Sequence, residues 1–329
     1  MHERELGERN FVAGQTCSYE LPRNYSLDRL KFRLTATLSR AAGATAGAPM
    51  DLSGAQLIKR IEVRKNGREV LKAIDAETLM RLCELRYGTP PHISFTDTWD
   101  GFDAQSEIPF VLDFQLDFGM WRALQRFDTL LDTTWRGGIT TLDLVITWGQ
   151  LDDVMTAAYD PAAGGISADV TPVVSVAAEE YIDPDAVPGE YAENREYGIR
   201  KVIAATDPKM QHKFNIGNRF RSFVLKTYSD GVQRNDILNN VKIMTGSRVL
   251  KNRVALALRE ENKLHLGLET MPTGYYLLEF CPDGHLTRAI NTLGMSDLTC
   301  EMDVEKQGTL CTVEIFPTEL VKVPVTVVA

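Results

Sequence analysis

The sequence predicts an all-β protein made of two similar sandwiches or barrels in tandem, with few short helices in loops. Many short segments alternate apolar and polar residues with a period of two, which is the pattern of half-buried strands. Gly, Pro, Asn and Asp residues separate these segments at short intervals, as in sandwiches and barrels. The order of the segments in the first half also recurs in the second half, which indicates an internal duplication.

The first half opens with clear strand patterns. Leu30–Ala36 alternates apolar and polar residues, and so does Ile61–Arg64, which runs into Asn66-Gly67. An Asn-Gly pair between two strand-like runs is a strong hairpin signal. The other predicted strands of this half are Ile108–Phe114, Leu142–Trp148 and Val173–Ala177.

Helical signals are scarce and fall in the first half. Asp75 is a good N-terminal cap, Leu79, Leu82 and Arg86 follow at helical spacing, and Gly88 ends the pattern, so a helix is predicted from Asp75 to Arg86. A weaker pattern predicts a second helix from Trp121 to Leu131.

The second half repeats the strand order. Its predicted strands are Phe220–Thr227, Val241–Thr245, Tyr275–Phe280, Leu298–Val304 and Thr312–Phe316. Matching segments lie at offsets of 191, 180, 166, 156 and 139 residues, which fall steadily along the chain. Equivalent strands therefore occur in the same order, with shorter loops in the second half. The best matched positions are Ile61 with Val241 and Leu142 with Leu298.

We expect four parts along the chain. Residues 1–24 are predicted to form an N-terminal arm, 25–182 the first barrel, 183–212 a linker and 213–329 the second barrel. The linker is assigned because it holds three Pro-containing turns and little periodicity.

Composition excludes several classes of protein. A length of 329 residues fits about two domains, and 44% hydrophobic residues exclude a disordered chain. The net charge of −9 argues against a dedicated nucleic-acid binder. No run of 18 apolar residues and no apolar signal segment is present, so we expect no membrane-spanning helix and no secretory signal. Five widely spaced cysteines, an odd number, favour reduced thiols and synthesis in a cytosol.

No catalytic or cofactor motif stands out, so we expect no enzyme activity, catalytic residues, cofactor, metal site or small-molecule substrate. Cys281 and His285 flank a Pro-Asp-Gly turn and lack a second pair of zinc ligands. The stretch from Asp97 to Asp103 mixes acids with aromatics, as a sugar or calcium site does, but a solvated loop explains it better. The tryptophans, which a carbohydrate platform would use, are Trp99, Trp121, Trp135 and Trp148.

A basic run stands out in an acidic chain. Arg200, Lys201, Lys209 and Lys213 follow an acidic segment in the predicted linker. We expect this cluster to lie at the barrel end that also holds the Asn66-Gly67 turn, where it would face anionic lipid headgroups or nucleic acid.

At this level of detail the chain resembles the double jelly-roll major capsid proteins of tailless, membrane-containing icosahedral viruses of bacteria, from about Tyr25 to Leu320. The segments that carry the resemblance are Leu57–Gly67, Leu85–Pro90, Ile108–Phe110, Thr129–Thr133, Leu142–Gly149, and Gly274–Phe280 with Asp283-Gly284. The resemblance implies two eight-stranded jelly rolls in one subunit, and three subunits in a pseudo-hexagonal capsomer. It carries over no active-site residue.

The resemblance makes a viral coat protein the expected function. It implies a virion location and synthesis in the host cytoplasm, with partners that are other copies of the chain, penton or minor capsid proteins, and peripherally an internal membrane or the genome. Two alternatives stay open from the residues: a secreted or virion-attached carbohydrate-binding β-sandwich protein or virion receptor-binding protein, and a β-sandwich glycoside hydrolase. A cleft ringed by aromatics and acids would favour these alternatives, whereas flat complementary subunit edges would favour a shell.

Overall fold

A computed structural model describes residues 1–40, 52–88, 92–93, 107–124, 126–134, 138–155, 165–182 and 193–322. Nearly all regular structure in these residues is β-strand, and each of two long α-helices follows a hairpin. The prediction of an all-β fold with few short helices is therefore confirmed.

The first half contains ten strands and one α-helix in the described residues. In chain order these are β1 (His2–Asn10), β2 (Thr16–Glu20), β3 (Ser26–Arg40), β4 (Ile58–Lys65), β5 (Glu69–Ile74), α1 (Ala76–Tyr87), β6 (His92–Ile93), β7 (Ile108–Asp117), β8 (Leu131–Asp132), β9 (Leu142–Trp148) and β10 (Ile166–Tyr181).

The second half follows the same plan. Its elements are β11 (Glu193–Tyr197), β12 (Ile199–Ile203), β13 (Asp207–Phe214), β14 (Arg219–Ser229), β15 (Val232–Gln233), β16 (Leu238–Thr245), β17 (Arg248–Val254), α2 (Ala255–Leu266), β18 (Tyr275–Glu279), β19 (Ile290–Asn291), β20 (Leu298–Val304) and β21 (Cys311–Val321).

The strands form three sheets. The first sheet has the order β1-β10-β3-β7-β6, with β8 also on β3, and belongs to the first half alone. The third sheet, β13-β20-β16-β17, belongs to the second half alone. The middle sheet runs β15-β14-β21-β11-β5-β4-β9-β2, with β12, β18 and β19 attached, so it spans both halves.

Strand pairing shows the duplication directly. β3 pairs with β7, β8 and β10, and β14 pairs with β18, β19 and β21 in the same way. Even the irregularities recur: β3 carries an extra residue at Asp28 against β10, and β14 carries one at Arg221 against β21. The carbonyl of Asp28 accepts from Phe118 N–H, and that of Arg221 accepts from Phe280 N–H.

These pairings fix the equivalent positions. The offset is 193 residues for the stretch with Asp28 and Arg221, and 162 for that with Phe118 and Phe280. In the middle sheet Ile61 of β4 pairs with Ile146 of β9, and in the third sheet Val241 of β16 pairs with Met302 of β20. These equivalent pairs confirm the predicted offsets of 180 and 156. The predicted offsets of 191 and 166 were wrong, by two and four residues. An alignment shifted by an even number of residues keeps each side chain on the same face of its strand. Periodicity alone therefore does not detect such errors.

The predicted arm and linker need correction. Residues 1–24 do not lie outside the barrel, because β1 pairs with β10 and β2 pairs with β9. Residues 193–212 are likewise strands: β11 and β12 pair with β21, and β13 pairs with β20. The arm and the linker are equivalent first strands of the two repeats. We propose that the second repeat begins near Glu193 rather than at residue 213.

The helix predictions were half right. α1 has the predicted Asp75 cap, whose carboxylate accepts from Thr78 N–H at 2.7 Å, and it ends at Gly88. The predicted helix from Trp121 to Leu131 is instead a turn followed by a short 3-10 segment. The second helix is α2, which occupies the position of α1 in the second repeat.

Two large apolar clusters form the cores, one in each repeat. The first cluster includes Val224, Tyr275, Leu277 and Phe316, which come from the second repeat. Residues on the outer face of the β14-β18-β21 sheet are thus buried against the first repeat, while those on its inner face belong to the second cluster.

The two helices meet at their C-terminal caps, which offers a matched pair of substitutions. Gly88 and Gly267 end α1 and α2 at φ of 72° and 71°, where an L side chain costs about 1–2 kcal/mol. A Cβ on Gly88 would also come within 2.7 Å of the Leu266 carbonyl oxygen, whereas one on Gly267 would meet nothing. We expect Gly88→Ala to lower the free energy of unfolding by roughly 1–3 kcal/mol more than Gly267→Ala. Urea unfolding measures both, and equal losses would contradict a close approach of the helices.

Candidate functional site

The most elaborate polar structure in the described residues lies at the seam between the two repeats. Here β11 is the joining strand. It runs antiparallel to β21 of its own repeat and parallel to β5 of the first repeat, with Glu196 opposite Lys72 and Tyr197 opposite Ala73. One strand therefore completes the middle sheet across both barrels.

A buried charge network holds this junction. The Lys72 ammonium lies 2.9 Å from the Glu196 carboxylate, the Arg86 guanidinium of α1 also contacts Glu196, and the hydroxyl of Thr318 donates to it at 3.0 Å. All four side chains are almost completely buried. Burial alone would raise the pKa of Glu196, but Arg86 and Lys72 outweigh it and lower the pKa to about 2.

A second charged cluster lies between α1 and the second repeat. The ammonium of Lys226 on β14 contacts Glu77 of α1 and donates to Thr78 Oγ1 at 3.0 Å, while the Tyr275 hydroxyl donates to Glu77 at 2.8 Å. Burial opposes the charge, but Asp75 and Glu77 outweigh it and raise the pKa of Lys226 well above its usual value. The lysine therefore stays charged, and the cluster fixes α1 on the neighbouring barrel.

A third contact comes from the loop after β7. The Arg221 guanidinium lies 4.3 Å from the centre of the Trp121 ring, and its Nε lies 3.5 Å from the Glu279 carboxylate. Arg221 is completely buried, and this burial lowers its pKa. The loop thus fastens the first repeat to the second.

These charged side chains hold the two repeats together. The buried carboxylates of Glu196, Glu77 and Glu279 each lie beside a cation. In the described residues, no group of three or more metal-ligating side chains comes together. No helix among them is long and apolar enough to cross a membrane. All five cysteines are free in the structure.

Three solved structures from viruses have a similar architecture. The crystal structure of the STIV MCP matches 98% of this chain and 97% of its own, with 14% identity and a TM-score of 0.73. The atomic structure of Sulfolobus Turreted Icosahedral Virus matches 98% and 91%, with 12% identity and a TM-score of 0.74. The major capsid protein P2 from Bacteriophage PM2 matches 98% and 97%, with 13% identity and a TM-score of 0.63. No protein-family model and no curated protein matches the chain.

The chain has the double jelly-roll fold. The matches extend over nearly the whole chain and nearly the whole of each neighbour, so both barrels and their connection share the architecture. The fold expected from the sequence resemblance is confirmed.

The double jelly roll places the predicted basic residues on two strands, β12 and β13. Arg200 and Lys201 lie on β12, and Lys209 and Lys213 lie on β13, where they are four residues, or about 13 Å, apart. Arg200 lines a cavity with Asp75, at the end of β5 opposite the Asn66-Gly67 turn. The four residues thus lie on two paired strands, and their clustering at one barrel end stays a prediction. Contact of these residues with an anionic membrane or genome stays a prediction.

The other candidate binding residues do not line a cleft in the part of the chain that the structure describes. Trp121 and Trp148 are 3% and 2% exposed, so neither presents a face to a sugar. Trp99, Trp135 and the stretch from Asp97 to Asp103 lie outside the described residues. His285 follows a turn closed by Gly284 N–H donating to the carbonyl of Cys281, as the turn interpretation predicts.

Proposed function

We propose that this protein is the major capsid protein of an icosahedral virus, and that three copies form a pseudo-hexagonal capsomer. The observation that carries the proposal is the full-length match of a double jelly roll to capsid proteins, with nearly complete coverage of both chains. The duplicated architecture supports the trimer, because two equivalent barrels in each copy give three copies six similar edges.

The seam chemistry supports a structural role rather than catalysis. Charged groups that an enzyme would leave available for substrate are here paired with one another and buried between barrels. Further proposed partners are neighbouring capsomers and penton or minor capsid proteins, and the proposed location is the shell of the virion.

We expect the purified protein to form homotrimers of about 110 kDa, three times the chain mass of 36.8 kDa. Obligate assemblies of this kind bury extensive interfaces, roughly 2,000 Å² or more, and persist on dilution. Mass photometry at nanomolar and light scattering at micromolar concentration measure the mass, and negative-stain images reveal hexagonal outlines or shells. A stable monomer at micromolar concentration that never assembles would overturn the proposal.

A further inference from the structure

Two strands at opposite sides of the chain have an open edge. β1 is the last strand of the first sheet, and β17 is the last strand of the third sheet, so each leaves one row of backbone groups without a strand partner among the described residues. The side chains of β1 and most of those of β17 are exposed. Exposed edges are templates for pairing with another chain.

The duplication shows that these two edges are equivalents of strands already joined inside the chain. β1 corresponds to β11 with the 193-residue offset, because Glu3 pairs with Glu179 as Glu196 pairs with Thr318. β17 corresponds to β5 with an offset of 179, from Lys72 to Lys251. Both β5 and β17 have their register shift two residues before that lysine, at Val70 and Val249. Since β11 pairs with β5, their equivalents β1 and β17 are matched partners that one chain cannot bring together.

The chemistry of the internal junction is repeated at these positions. Lys72 pairs with Glu196, and the equivalent residues are again a lysine, Lys251, and a glutamate, Glu3. The ammonium of Lys72 lies 5.8 Å from the Phe118 ring centre, and that of Lys251 lies 5.4 Å from the equivalent Phe280 ring. The surroundings of Lys72 therefore indicate which partner suits Lys251.

Lys251 lacks the carboxylate that its equivalent has. Its ammonium donates to the Glu279 carbonyl at 2.9 Å, and no carboxylate lies within 4.0 Å of it among the described residues. Burial lowers the pKa of Lys251, as expected for a desolvated cation without a close counter-ion. Glu3 is half-exposed, and among the described residues its carboxylate forms an ion pair with Lys31 alone, at 2.6 Å.

We infer that β1 of one copy adds in parallel to the β17 edge of the next copy, with Glu3 of the first opposite Lys251 of the second. This contact rests on the proposed capsid function and specifies how its trimer closes. It repeats between chains the β11–β5 junction within each chain. The contact is head-to-tail, and such a contact forms a closed ring when its rotation closes. Six barrels from three copies complete the ring.

The surfaces beside these edges occupy equivalent positions in the two repeats but differ in polarity. Inside the chain, Val224, Tyr275, Leu277 and Phe316 are buried against the first repeat. Their equivalents on the first repeat line an exposed cavity of about 840 Å³. These residues are Lys31, Asp113, Gln115 and Ala177. The helix expected to enter this surface is α2 of the next copy, on which Leu264 is 85% exposed although its equivalent on α1, Leu85, is 1% exposed. The apolar Leu264 is exposed only while this contact is absent.

Charge exchange tests the contact. We expect Glu3→Lys and Lys251→Glu each to weaken trimerisation by roughly tenfold or more, because each places like charges opposite one another at the contact between copies. The double variant Glu3→Lys/Lys251→Glu should recover most of the lost affinity. Glu305→Lys and Lys306→Glu, which reverse exposed charges on a loop, serve as matched controls and should leave trimerisation unchanged. The readout is the trimer fraction against concentration by mass photometry, and thermal melting reports whether each variant is folded.

Cross-linking gives the second arm of the test. The double variant Glu3→Cys/Lys251→Cys should form covalent trimers on mild oxidation, and the single-cysteine variants should not. A wild-type trimer with no charge rescue and no cross-link would reject this contact and leave the proposed function intact. A wild-type protein that stays monomeric would instead reject the proposed trimer itself. Cross-linked dimers alone would show a two-fold contact and also overturn the inference.

Discussion

Replacing Glu196 with glutamine is expected to lower the free energy of unfolding by about 3–5 kcal/mol. The reason is that Lys72 and Arg86 remain buried at the seam with no carboxylate between them. The amide retains the shape and can still accept from Thr318, so the loss reports charge rather than packing. Chemical denaturation followed by circular dichroism measures it.

A matched control separates this effect from the loss of an ordinary ion pair. Glu261 pairs with Arg253 at 2.8 Å, and both side chains are nearly half-exposed. Exposed pairs contribute about 0–1 kcal/mol, so Glu261→Gln should change stability little. Similar costs for Glu196→Gln and Glu261→Gln would show that the seam network does not join the barrels.

The same carboxylate predicts how stability depends on pH. The pKa of Glu196 is lowered from 4.5 to about 2 in the folded protein. Its contribution is therefore fully present above about pH 4.5 and is lost as pH falls through 2, because the unfolded chain takes up the proton first. At about 1.4 kcal/mol per pKa unit, the loss amounts to about 3 kcal/mol. The slope of stability against pH between 5 and 2 should therefore be shallower in Glu196→Gln than in the wild type. Equal slopes would show that Glu196 is not the group responsible.

Much of the fold was accessible from the sequence because several of its strands place an apolar residue toward the core at every second position. Leu142–Trp148 and Leu298–Val304 carry an inward apolar residue at every second position, and this pattern located both strands and their offset. The Asp75 cap and the Gly88 stop likewise located α1 through local backbone chemistry.

Two of the elements that sequence analysis missed, β1 and α2, lack a clear apolar pattern because many of their side chains face outward. β1 reads HERELGERN and exposes nearly all of its side chains, so its charges resemble a solvated arm. α2 exposes both Leu256 and Leu264, which blurs its apolar stripe. The outward-facing side chains of β1 and α2 explain why sequence analysis missed these elements. The same side chains make both elements candidates for subunit contacts.

The buried charges at the seam had one signal that was overlooked. Lys72 stands between Leu71 and Ala73 on β5, and Lys226 directly follows the apolar run 223–225 on β14. A lysine within such a strand is rarely buried without a partner. The signal shows that a partner exists but not which one, because Glu196 and Glu77 are more than a hundred residues away in sequence.

The Glu77–Lys226 pair should show strong coupling in a double-mutant cycle. We expect Glu77→Leu to cost about 3–5 kcal/mol, because the charged Lys226 stays buried with Asp75 3.8 Å away as its nearest remaining counter-charge. Lys226→Met should cost less, about 1–3 kcal/mol. Burial already raises the pKa of Glu77, so this carboxyl can take up a proton when its cation is removed.

The double variant Glu77→Leu/Lys226→Met should cost less than the sum of the single variants by about 2–4 kcal/mol, because it leaves no buried charge unpaired. Leucine is the natural choice at residue 77, since the equivalent position on α2 is Leu256. Lys226→Met alone should also gain stability relative to the wild type as pH falls, because protonation of Glu77 removes its isolated charge. Urea unfolding of the four proteins at two pH values measures both effects. Costs that add within about 0.5 kcal/mol would mean that α1 and β14 are held by packing alone.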